Sequence, residues 1–166
     1  MENSEDHLAV PLVSIVVAMS RAGVIGYRNA LPWHIPADLH HFKTLTWGGT
    51  VLLGKSTYLS LPHGALPGRR NMVLSHTVKT LPGCEVYASL EDALAHVSAG
   101  EDVFVIGGAS VYGQALPLAR RMYVTLVDAE PQSADTWFPS FEWSDWRITK
   151  KEKHAGFSFI DLSKRV

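Results

Sequence analysis

The feature that most limits what this chain can fold into is a set of short apolar runs of strand length that recur along it. Residues 13–19, VSIVVAM, are apolar except for Ser14 and rich in β-branched side chains, the pattern of a strand covered on both faces in a parallel sheet. Similar runs at 50–53, 71–75, 85–88, 103–106 and 122–127 predict further strands, several of them separated by helical patterns. Such alternation means an α/β fold. The clearest helix spans 89–98: Ser89 can cap it, Asp92 stands three residues on, and Leu90, Ala93, Leu94 and Val97 share one face. A second opens at Pro36 and carries Leu39, Phe42 and Lys43 at helical spacing, and shorter helices are expected after Lys55 and Ala109. The tail changes character. Residues 146–153 and 157–163 alternate around His154, Ala155 and Gly156, which predicts a C-terminal antiparallel hairpin and makes the sheet mixed.

At 166 residues and 18.3 kDa the chain suits one core, and we read residues 13–166 as a single domain behind an N-terminal extension, residues 1–12. Lys and Arg number 15 against 16 Asp and Glu, which gives no broad cationic field for nucleic acid or for an anionic membrane. The lone Cys84 can form no intrachain disulfide and fits a reducing cytoplasm. The apolar stretch 8–19 is interrupted by Pro11 and Ser14 and follows the acidic Glu2, Glu5 and Asp6, so it reads as a strand and not as an export signal. Of the eight histidines, His40 and His41 are adjacent and point apart on a helix, and no metal is expected.

Two segments suggest phosphate. Residues 49–56, GTVLLGKS, satisfy the written pattern of a P-loop, and Asp128 at the end of a strand could present a magnesium carboxylate, so a P-loop kinase is a competing reading. The middle of a P-loop must curl until its amides converge, whereas Thr50, Val51, Leu52 and Leu53 are strong strand formers. What survives is Gly54-Lys55-Ser56-Thr57, a strand end opening a helix with free amides, hydroxyls and a cation. Taken alone it could be a plain helix cap. The second segment is 103–106 running into Gly107-Gly108 and a helix near Ala109 or Ser110, where two glycines let a ligand approach the backbone. Alone, that pair would pass for a turn. Two such helix starts in one small sheet suit a cofactor with two phosphates.

Residues 18–43 hold a denser pattern: Gly23-Val-Ile-Gly26, Asn29-Ala-Leu-Pro-Trp33, Pro36-Ala-Asp38-Leu39, and Phe42 one helical turn later. In order and spacing this resembles the dihydrofolate reductase family. The resemblance continues through Leu52-Leu53-Gly54-Lys55, Leu66-Pro67-Gly68-Arg69-Arg70-Asn71, Val105-Ile-Gly-Gly108, Val111-Tyr112 and Asp135-Thr136-Trp137-Phe138-Pro139. It implies an eight-stranded, mixed and mostly parallel sheet flanked by four helices. It also implies NADPH-dependent reduction of 7,8-dihydrofolate to 5,6,7,8-tetrahydrofolate for one-carbon metabolism, by a cytoplasmic monomer that antifolate inhibitors would bind.

The resemblance further implies residue roles. Asp38 would accept the paired N–H donors of a pterin as a fork, anchoring it and supporting proton affinity at N5 without donating the proton itself, which would come from water. Thr125 would hydrogen-bond that carboxylate, and Trp33 would hold an ordered water. Leu31, on a mobile loop over 21–33 that Gly23 and Gly26 permit to move, would close over the nicotinamide. Val16, Val17, Leu39, Leu61, Ile106 and Tyr112 would line the substrate, Phe42 and Leu66 would sandwich its aminobenzoyl ring, and Arg69 would fork onto the α-carboxylate of its glutamate tail. Arg70 is read as surface charge. For the cofactor, the backbone of Ala18 and Ile25 would hold the carboxamide beside Val17 and Gly26. Gly54, Lys55, Ser56, Thr57, Leu74, Ser75 and His76 would line the dinucleotide, with Ile106, Gly107, Gly108, Ala109, Ser110, Val111 and Tyr112 opposite. In the family the two glycines are joined by a cis peptide. Lys55 stands where many members carry Arg, Ser110 where a second basic residue can sit, and 62–65 is about one residue longer than in common bacterial members. A same-fold reductase of a riboflavin precursor and a non-catalytic folate or nucleotide binding module remain open beside this reading.

Overall fold

The computed structural model describes residues 11–28, 30 and 32–166. Nearly all of the expected N-terminal extension therefore lies outside the described residues, as do Asn29 and Leu31.

The first apolar run becomes β1 (Leu12–Ser20), at the middle of the sheet, between two parallel neighbours, β6 (Asp102–Gly107) and β7 (Arg121–Val127). Outward from β6 come β3 (Thr50–Gly54), β4 (Arg70–Leu74) and β5 (Glu85–Tyr87), all parallel. Beyond β7 the direction reverses, and β10 (Phe157–Lys164) and β9 (Trp146–His154) complete the eight-stranded sheet as the expected hairpin. Every residue from Thr50 to Leu53 is buried, because both faces of β3 are covered, which is why that strand shows no polar alternation. Its backbone is spent in ladders with β4 and β6, so no P-loop can form there.

Among the described residues four α-helices flank the sheet: α1 (Pro36–Thr46), α2 (Lys55–Ser60), α3 (Leu90–Leu94) and α4 (Ala109–Ala115). None of the described helices is long and apolar enough to cross a membrane. Two expectations need correction. The helix predicted over 89–98 is regular only to Leu94, although Ser89 caps it as read, its Oγ accepting from the Asp92 N–H at 3.0 Å. The cause is a side chain: His96 Nδ1 lies 2.9 Å from the Asp92 carbonyl, while the His96 N–H turns to Ala93 instead. The second correction concerns 21–33. Residues 24–26 are not loop but β2 (Val24–Gly26), paired antiparallel with β8 (Thr136–Trp137), with Val24 and Ile25 buried beneath. A Cβ at Gly26 would lie 3.3 Å from that of Thr136, so the glycine also serves close strand approach.

Candidate active site

Pro36 opens α1 and puts Asp38 in its first turn, aimed across the cleft at β7. There the buried Thr125 hydroxyl donates to Asp38 Oδ1 at 2.5 Å. Burial pushes the Asp38 carboxyl above its usual value, and this outweighs the Thr125 hydroxyl and the nearby His41, both of which pull it down. The carboxylate opens into a cleft of about 670 Å³. One wall is β1 through Val16, Val17 and Ala18; α1 adds Leu39 and Phe42; Leu61 follows α2; Ile106 comes from β6 and Tyr112 from α4. Ile25 and Gly26 of β2 close the far side.

The floor is tied by Tyr112, whose hydroxyl donates to the Val16 carbonyl at 2.7 Å and is kept protonated by burial and by the charge of Asp38. Beside it Gly107 and Gly108 are joined by a cis peptide, with Gly107 at φ +144°. A Cβ at either glycine would stand 3.0 or 3.2 Å from Thr57 Oγ1, so only glycine lets the end of β6 approach the first turn of α2 so closely. Ser56, Thr57, Gly108 and Ala109 line both this cleft and a second one of about 440 Å³. The second is bounded by Gly54, Lys55, Leu74, Ser75, His76, Ser110 and Val111, and Lys55 Nζ reaches Thr77 Oγ1 at 3.0 Å. Two helix starts thus lie side by side at the carboxyl ends of adjacent parallel strands, where α/β sheets bind nucleotides.

Some expected residues stand apart. Leu66 is partly buried against Val51, Leu53, Val73 and Phe104, and Arg69 lies at the rim with its guanidinium 5.9 Å from the Phe42 ring. Trp33 buries its indole Nε1, which has no acceptor among the described residues. Leu31 lies outside them. Arg70 corrects the sequence reading: it is not free surface charge but forks onto Glu85 at 2.6 and 2.7 Å, at the opposite edge of the sheet.

A family model described as dihydrofolate reductase matches residues 12–159. The chain belongs to the dihydrofolate reductase family. It is 43% identical over 155 residues to the dihydrofolate reductase of Neisseria gonorrhoeae, covering 89% of this chain and 95% of that one. It is 40% identical over 144 residues to dihydrofolate reductase type 3 of Salmonella typhimurium, covering 86% and 88%. A solved dihydrofolate reductase from Enterococcus faecalis, complexed with NADP(H) and RAB-propyl, superposes with a TM-score of 0.86 at 26% identity, covering 93% of this chain and 97% of that one. For a dihydrofolate reductase, several lining residues were within reach of the sequence but passed over. His41 follows Asp38 by three on one helix, Ser60 follows Thr57 by three, and Tyr123 precedes Thr125 by two on one strand face. Ala30, Asp135 and Thr136 lie within the family motifs, but no local pattern put them at the cleft, and for Thr136 it is the long-range pairing of β8 with β2 that does so. Thr77, Ala88, Ser89 and Gln114 also line the second cleft.

Proposed function

We propose that this chain reduces 7,8-dihydrofolate to 5,6,7,8-tetrahydrofolate with NADPH, and that the Asp38 carboxylate orients the pterin for the transfer. The observation that carries this reading is Asp38 itself, half-buried, pinned by Thr125 and surrounded by apolar walls. The other carboxylate of the cleft, Asp135, is exposed and already accepts from the Arg28 N–H at 2.9 Å and from Thr136 Oγ1 at 2.8 Å. Asp38 is therefore the acid with an oxygen to offer a planar pair of donors.

The residues present fit a nicotinamide dinucleotide. The glycine pair leaves backbone exposed where a Cβ would intrude, and two helix starts, with Ser56, Thr57 and Ser110, face the second cleft. Lys55, Ser75 and His76 would meet an adenosine-side phosphate, and Ala18 and Ile25 would hold the carboxamide. When bound, the reduced nicotinamide supplies a hydride. Val16, Val17, Leu39, Ile106 and Tyr112 exclude water and keep the pterin stacked. Ionised Asp38 places negative charge near the ring and so raises the affinity of N5 for a proton, which water delivers. The buried Trp33 N–H suits a water as its acceptor, since an indole donor left unpaired costs about 1–3 kcal/mol. Leu61, Leu66 and Phe42 would hold the aminobenzoyl ring and Arg69 its terminal carboxylate. We place Leu31 over the nicotinamide by family position. The monomeric state follows the family resemblance, and the lone Cys84 suits a reducing cytoplasm.

The test is NADPH absorbance with dihydrofolate, wild type beside Asp38→Asn. We expect the variant to lose about 100-fold or more in kcat/KM near neutral pH, the size of a lost orienting and electrostatic group. A variant as fast as wild type, or oxidation that follows a ribityl pyrimidine instead of dihydrofolate, would overturn the reading.

A further inference from the structure

Trp47 is an aromatic residue that neither the core nor the cleft uses. It ends α1, its N–H bound to the Lys43 carbonyl at 2.9 Å, and it leaves 54% of its surface exposed. The indole lies against Gly68. A Cβ there would stand 2.3 Å from Trp47 Cη2, and Gly68 also holds φ +73°, so glycine is required twice over. The contact is braced from the backbone by the Gly48 N–H, which donates to the Gly68 carbonyl at 2.9 Å.

The next residue is Arg69. Its guanidinium sits 5.5 Å from the Trp47 ring centroid, and Lys43 Nζ sits 5.4 Å from it. One edge of the guanidinium is engaged: Nε donates to the Pro67 carbonyl at 2.9 Å and Nη1 to Thr46 Oγ1 at 3.2 Å. Both N–H groups of Nη2 and one of Nη1 are left without a partner among the described residues. Neither Lys43 nor Arg69 pairs with an acidic side chain there. Two cations therefore converge on one indole at the rim of the cleft with their charge unmatched by the protein.

We infer that Trp47 is a positioning residue that holds Arg69, with Lys43 beside it, as an anion-accepting rim selecting pterins with a carboxylate-bearing tail. The inference rests on the proposal that Arg69 takes the substrate's α-carboxylate, and extends it to the residue that sets the guanidinium plane. An arginine side chain has large rotamer freedom, and a fork works only in one plane. Two hydrogen bonds fix its inner edge, and the indole face fixes the plane. Trp is the aromatic best suited to draw a cation, and a leucine there would keep apolar contact but lose the ring quadrupole.

The experiment measures kcat and KM at saturating NADPH for dihydrofolate and for 7,8-dihydrobiopterin, which lacks the aminobenzoyl-glutamate tail. The variants are Trp47→Leu, Trp47→Phe and Arg69→Gln. Trp47→Leu should raise the dihydrofolate KM about fivefold with kcat within about twofold, the signature of binding lost equally from ground and transition states. Trp47→Phe should restore most of that affinity, and the dihydrobiopterin KM should not move for any variant. An unchanged dihydrofolate KM in Trp47→Leu beside a raised one in Arg69→Gln overturns the role of Trp47 alone. An equal rise for both substrates in Trp47→Leu would make Trp47 merely structural and likewise overturn it. An unchanged KM in Arg69→Gln overturns the carboxylate assignment and this inference with it.

Discussion

Asp38 is costly to keep where it is. Its carboxyl titrates above the unfolded value of 3.8 because burial disfavours the charge more than Thr125 and His41 favour it. A folded chain with a raised carboxyl holds its proton longer than the unfolded chain, so stability falls as pH climbs from 3.8 through the raised folded value. Above that window the loss is complete. Asp38→Asn should therefore melt higher than wild type near neutral pH, and each kcal/mol regained shifts Tm by about 2–4 °C in a chain of this size. The gap should close in acid, where Asp38 is protonated in both states. Thermal melts across pH check this, and the same variant loses activity, so the site trades stability for function. An Asn that melts no higher at neutral pH would mean that burial of this carboxylate is fully compensated.

At the scale of elements the cofactor side of the site is a junction of strand ends. β3 and β6 finish beside each other, and α2 and α4 begin from that edge. The junction tolerates no side chain at Gly107, whose φ of +144° and whose 3.0 Å clearance to Thr57 Oγ1 both exclude a Cβ. Gly107→Ala should destabilise the fold by about 1–3 kcal/mol, the cost of strained backbone. It should also weaken NADPH binding more than it raises the KM for dihydrofolate. Urea unfolding and a fluorescence titration with NADPH read the two effects separately. The parallel strands of the main sheet were legible because each is an apolar run bounded by turn residues, a local pattern that even the three-residue β5 keeps. β2 and β8 were not, since pairing across the molecule makes them strands.

Over the whole molecule, stability and function occupy opposite edges of the sheet. The carboxyl ends of the parallel strands carry the clefts, and the amino ends carry a polar staple. There Arg70 at the start of β4 forks onto Glu85 at the start of β5 and reaches Glu101 at 3.4 Å, while Thr50 at the start of β3 donates to Glu101 at 2.5 Å. The Arg70 fork holds the Glu85 carboxyl down at about 2, below its ordinary 4.5. A lowered carboxyl stabilises above its unfolded value, and that contribution is lost as pH falls from 4.5 toward 2. Arg70→Leu should cost only about 1 kcal/mol, because Glu85 is 42% exposed and solvent screens the pair. It should flatten the acid limb of the stability curve and leave kcat/KM for dihydrofolate unchanged. Denaturant melts between about pH 2 and 7 with parallel kinetics decide it, and a loss of activity without loss of stability would contradict the separation of edges.

The chain's own residues determined the α/β class, the main strands, the C-terminal hairpin and the helix starts at Pro36, Lys55, Ser89 and Ala109. Each depends on local periodicity, capping chemistry or the rigidity of proline, which act over a few neighbours. The motif around Trp33, Asp38 and Phe42 further marked the family, and with it most of the cleft. No local pattern links Asp38 to its hydroxyl partner, which the family resemblance alone named in advance, because Thr125 lies 87 residues away and only strand order brings β7 opposite α1. Tertiary structure decided that Arg70 forms a staple, since its partner Glu85 stands on the next strand and no local pattern joins the two. It also placed Trp47 against Gly68, since a contact between a helix end and a distant loop depends on how the whole sheet is stacked.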